Sequence, residues 1–179
     1  MSDDPGGLAV AAAARLRHMS PGALARLRRM PDDGAAPEFW RLGVPDRPDW
    51  VSIVRILAIL TDRGAPENRA VLHDAARPWG QVLCDGGDPR WRGEPHDRPL
   101  LSEQRLAQLL AARGNARRVL MTRAARAVAA RHGPGLQANV ADIAWSILAP
   151  DNAAILAKPY YRRFDGAGRG PETETDPHA

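Results

Sequence analysis

Residues 50–60 read WVSIVRILAIL, and this run decides the fold. Val51, Ile53, Val54, Leu57 and Leu60 recur at helical spacing, while Ile56, Ala58 and Ile59 fill the remaining faces. A helix apolar over most of its circumference must be surrounded, so this one is the expected central core helix. Pro48 precedes it, and Asp49 is the expected N-cap. No alternating segment rich in β-branched residues is long enough to form a strand. The expected class is therefore all-α, a compact helical protein of two small packed bundles with about eight helices.

Toward the N-terminus, one helix is expected from Leu8 to Arg17 and a second from Ser20-Pro21 to Arg29. Ser20 is a side-chain cap, and Pro21 sits at a first helical position that needs no N–H. A loop from Pro31 to Pro37 leads into a short turn over Glu38–Leu42. Beyond the central helix, Pro66–Ala76 and Trp79–Leu83 are shorter helical candidates, and residues 86–100 form a Gly/Pro/Asp-rich loop. Ser102 caps an expected helix over 103–113 that Gly114 ends; Asn115 caps the next, which runs to His132. Val140–Leu148 and Asn152–Phe164 complete the chain, with Pro159 expected to end or kink the last helix. The division reads as a sub-bundle over 8–85 and another over 101–164, with residues 1–7 and 165–179 expected to be disordered.

With one cysteine, Cys84, no intrachain disulfide can form, and no C-x-x-C pair suggests a thiolate metal site. No run approaches a membrane span, and Asp3 and Asp4 stand where a signal peptide would be positive, so the expected compartment is the cytoplasm. His18, His73, His96, His132 and His178 show no metal-binding spacing, and no phosphate-cradling glycine loop or nucleophile elbow occurs. The expectation is a non-enzymatic protein without cofactor or metal.

The chain carries +4 at neutral pH, and 24 of its 25 basic residues are arginine. Residues 101–132 hold seven arginines against one acid, a local +6 that leaves −2 for the remainder. On the helix from 115 to 132, a rotation of about 100° per residue groups Leu120, Met121, Ala124, Ala127 and Val128 on one side. It puts Arg118, Thr122, Arg123 and Arg126 on the other, an expected solvent ridge of guanidiniums suited to phosphate. Arg117 and Arg131 fall on the buried-side arc, although Arg117 and Arg113 remain in the wider candidate set. A second basic group, Arg15, Arg17, Arg26, Arg28 and Arg29, has no acid between Pro5 and Pro31; Arg26, Arg28 and Arg29 join the candidates. Trp91, between Arg90 and Arg92, is a candidate for stacking on a base.

The order LARLRR over 24–29, a proline-containing loop, PEFWRL over 37–42 and then an apolar helix resembles the small subunit of the type I-E CRISPR Cascade complex, the CasB family. LSEQRLAQLLAAR over 101–113 and Tyr160-Tyr161 followed by Arg162-Arg163 are similar to that family's second half, so the resemblance spans residues 8–164. It implies a non-catalytic all-α subunit of an antiviral surveillance complex. The implied partners are the large subunit, the repeated backbone subunits, a second copy of itself and the guide RNA complex, with no membrane. It further implies a grip on displaced single-stranded DNA that stabilises the R-loop, carried by Arg118, Arg123 and Arg126 and by Arg26, Arg28 and Arg29. Where that family is basic near its end, this chain reads SILAPDNAAILAKP over 146–159 with Asp151. The alternative reading is a sequence-specific helix-turn-helix regulator built on the helices around Gly114. A third is a purely protein-binding adaptor.

Overall fold

The computed structural model describes residues 4–34, 36–93 and 97–167. Within them the chain forms nine α-helices, α1 (Pro5–Arg17), α2 (Pro21–Arg29), α3 (Pro37–Trp40), α4 (Pro48–Leu60), α5 (Trp79–Asp85), α6 (Glu103–Ala111), α7 (Gly114–His132), α8 (Val140–Leu148) and α9 (Ala154–Ala167). The all-α expectation holds, with one helix more than expected.

α4 occupies the centre. Only Pro48, Asp49, Arg55 and Ile59 of its residues escape full burial. It is flanked by α1, α2, α7 and α8, while α1 lies on α8 and α5 on α9. The pairings of α4 with α7 and α8, of α1 with α8 and of α5 with α9 cross between the first and second halves, and one continuous apolar core joins them. Small residues make the closest crossings possible. A side chain at Gly80 would put its Cβ 2.1 Å from the Leu156 carbonyl oxygen, so glycine is what lets α5 reach α9.

Local capping explains several boundaries. Ser20 accepts from Ala23 N–H and Ser102 from Arg105 N–H, as their positions predict. Other boundaries move. Asp4 accepts from Gly6 N–H and Gly7 N–H at 3.2 and 2.9 Å, so residues 5–7, expected in a disordered tail, are the first turn of α1. Residues 165–167 likewise belong to α9; residues 1–3 and 168–179 lie outside the described residues, as does His96. Arg47, not Asp49, takes the N-cap position of α4, with Asp49 in the first turn. Gly114, at φ 52°, opens α7 instead of following α6, and Asn115 is inside the helix. α9 continues through Pro159, whose ring packs at Gly80, so tertiary packing overrides the helix-ending tendency.

The expected helix over Pro66–Ala76 is absent beyond a single 3-10 turn, Pro66–Asn68. Arg69 is drawn into the interior instead. Its guanidinium donates to the carbonyls of Arg17, Met19 and Gly64 at 2.9, 2.6 and 2.9 Å, closing the C-terminal end of α1. The chain beyond it is extended. Leu72 C=O accepts from Ala138 N–H at 2.8 Å, and His73 forms an isolated parallel bridge with Ala138. Here long-range partners outweigh helix propensity. No described helix is long and apolar enough to cross a membrane.

Candidate nucleic-acid interface

The arginines divide into those that hold the fold and those that face outward. Arg117 belongs to the first class. It is 1% exposed, and its guanidinium donates to the carbonyls of Ser146, at 2.9 Å, and Leu109. Burial, then the nearby charge of Arg113, pulls its pKa below the ordinary value. Arg117 therefore ties α6 and α8 to α7 and is removed from the nucleic-acid-binding candidates. Arg28 is half-buried and donates to the carbonyls of Ala58 and Thr61 at 2.7 and 2.9 Å, satisfying the end of α4. Arg113 donates to Leu110 and Ala112 carbonyls and pairs with Asp151 at 2.9 Å. Arg15 and Arg17 also end on carbonyls, those of Leu42 and Arg69. Helix C-termini leave carbonyls without intrahelical partners, and in this chain arginine repeatedly supplies the donor.

The expected ridge on α7 is rotated. Thr122 is buried with its hydroxyl on the Arg118 carbonyl, whereas Val119 and Ala127 are exposed. Arg118 turns toward α4 and pairs with Asp49 at 3.0 Å, both side chains being largely covered. A first-turn aspartate freed from capping thus neutralises one member of a ridge expected to face no acid. Arg131, expected on the buried arc, is exposed and lies 3.6 Å from Asp97. Arg26 is matched as well. It donates to Glu38, which raises the Arg26 pKa and, through that hydrogen bond first, lowers that of Glu38.

Arg123, Arg126 and Arg29 remain, all exposed and none in an ion pair among the described residues. They come from the two basic segments, and the fold brings two of them together. Arg126 on α7 and Arg29 on α2 line the same cleft of 790 Å³, between the C-terminal halves of those helices and the loop after α4. Arg63, on that loop, is exposed and joins them. Sequence reasoning missed Arg63, because a loop arginine flanked by Asp62 and Gly64 has no periodicity to mark it. Four arginines, Arg28, Arg29, Arg63 and Arg126, against Asp62 give the cleft a net +3. Arg123 lies one turn from Arg126 on the exposed face, outside the cleft lining. A more open depression of 500 Å³, also lined by Arg29, includes Arg26 and Pro37.

Asp62 sets the cleft's shape. Its Oδ2 accepts from Ala70 N–H at 3.1 Å and its Oδ1 from Gly135 N–H at 2.9 Å, so one carboxylate joins the loops before α5 and after α7. The field around it is positive. Arg28, pulled below its ordinary pKa first by burial, is pushed further by the charges of Arg63 and Arg69. An arrangement of this kind binds anions, and guanidinium forks suit phosphate oxygens.

Trp91 does not offer a stacking face. It is 4% exposed, with the Arg163 guanidinium 5.5 Å from its ring centroid. Arg163 also pairs with the buried Asp85 at 3.0 Å and donates to the Trp91 carbonyl at 2.6 Å, fastening the loop after α5 to α9. The group is structural. Cys84 is buried and its thiol is pushed up to about 12, chiefly by burial. Among the described residues, no three His, Cys, Asp or Glu side chains gather as a metal site would require. No protein-family model matches the chain, and no curated protein or solved structure matches it.

Proposed function

We propose that the protein is a non-catalytic nucleic-acid-backbone holder, acting as the small subunit of a type I-E Cascade surveillance complex and steadying the displaced DNA strand of an R-loop. The observation that carries the reading is the meeting of Arg29 and Arg126, from basic segments about a hundred residues apart, across one cleft with Arg63. Like charges brought together with no ion pair to a carboxylate among the described residues repel one another, and a phosphate chain removes that cost. The exchange of a DNA duplex for an RNA–DNA heteroduplex is nearly balanced, so contacts of this modest kind can tip it without reading sequence. The resemblance of residues 8–164 to the CasB family supplies the biological setting.

The helix-turn-helix alternative draws less support. Its recognition helix would be α7, whose first two turns hold Arg117 in the core and Arg118 on Asp49. Co-purification of the tagged chain, expressed in its native host, with a guide-RNA complex is the expected outcome. Recovery of the chain alone, together with a footprint on one palindromic genomic site, would refute the proposal in favour of the regulator.

A further inference from the structure

We infer that residues 171–177, PETETDP, seat in the cleft of the free protein, setting Glu172, Glu174 and Asp176 against Arg29, Arg63 and Arg126 until a nucleic-acid strand displaces them. As regulation of the site described above, the inference rests on that reading. The three guanidiniums come from α2, the loop after α4 and α7, are exposed, and form no ion pair among the described residues. Asp62, the carboxylate in the lining, already has both oxygens on backbone N–H groups. The lining is left at a net +3, and residues 170–177 carry three acids and no base.

The acidic sequence favours a row of charge. Proline keeps the residue before it out of the helical region, and Pro171 and Pro177 bracket a run with β-branched Thr173 and Thr175. In an extended run alternate residues share an edge, which gives Glu172, Glu174 and Asp176 one carboxylate about every 6.5 Å. Reach is sufficient as well. α9 ends at Ala167, whose side chain lies against Gly93, and Gly87 of the same loop lies against His132, next to the cleft residues Gly133 and Pro134. Gly87 to Gly93 can span at most about 22 Å, whereas residues 168–176 extend to about 30 Å. Arg92, beside Gly93, is nearer still. Yet residues 85–98 hold Asp85, Asp88, Glu94 and Asp97 against Arg90, Arg92 and Arg98, a net −1 that leaves the cleft the more attractive seat.

The test uses the full chain. By fluorescence anisotropy with dye-labelled oligo-dT at low salt, Glu172→Gln/Glu174→Gln/Asp176→Asn should bind about three- to tenfold tighter than the wild type, with the gap closing at high salt. Equal affinities would overturn the inference. A nitroxide on Ala179→Cys reports docking without nucleic acid, since Cys84 is buried and stays unlabelled. In NMR spectra at low salt it should broaden the amides of Gly64, Ala130 and Gly133, and lose that effect when the three acids are neutralised. Broadening confined to residues 90–93, or none, would overturn the inference even where the affinities differ. If the broadening occurs but neither protein binds oligo-dT, the docking is supported and the functional proposal is refuted.

Discussion

Replacing Arg117 by alanine separates the structural arginines from those proposed to bind. The substitution removes two hydrogen bonds from a charged donor, to Leu109 and Ser146, each worth about 1.5–3 kcal/mol. It also removes two buried methylenes, about 0.8 kcal/mol each. Against this stands the relief of burying a guanidinium without a carboxylate, a penalty of several kcal/mol that its lowered pKa reflects. The balance is a loss of about 3 kcal/mol, which for a chain of this size lowers Tm by roughly 6–12 °C. Arg126→Ala is the control, since an exposed helical position changes stability by about 0.5 kcal/mol or less. Thermal melts followed by circular dichroism, paired with oligonucleotide binding of the folded fraction, give both readouts. The expected pattern is a destabilised Arg117→Ala that binds normally below its melting range, and a stable Arg126→Ala that binds weakly. An Arg117→Ala protein with unchanged Tm and impaired binding would refute the assignment.

Gly80→Ala should cost about 1–3 kcal/mol or more through overpacking, because its Cβ would meet the Leu156 backbone, and calorimetry should show a lower Tm. Cys84, buried with a thiol near 12, should resist iodoacetamide at pH 8 in the native state and react once guanidinium unfolds the chain, as mass spectrometry would record. Glu38, held below its ordinary value of 4.5 mainly by Arg26, contributes stability that is present above that value and lost as pH falls through its folded pKa. Melts of the wild type should therefore lose Tm below about pH 4.5 more steeply than melts of Arg26→Ala.

Legibility in the sequence followed locality. The central helix, Ser20 and Ser102 could be placed because spacing and capping are properties of a few adjacent residues. Pro66–Ala76 could not, since the extended course after Arg69 depends on that residue reaching carbonyls some fifty residues away. The rotation of α7 was misjudged for a related reason. α4 on one side and α6 and α8 on the others bury a wide arc, which takes in Thr122 as well as the expected Arg117, while its many alanines carry little directional information. The candidate site was half legible. Arg29, Arg123 and Arg126 could be named, but the neutralisation of Arg118 by Asp49 and the arrival of Arg63 required the fold.

The salt dependence of single-strand binding tests the central claim most directly. For single strands, log K falls against log salt with a slope of about −0.7 per phosphate contact. If Arg29, Arg63 and Arg126 each meet the backbone, the Arg29→Ala/Arg63→Ala/Arg126→Ala protein should remain folded and show a slope shallower by about 2. Equal slopes for the wild type and the triple variant would contradict the claim that this cleft holds the strand.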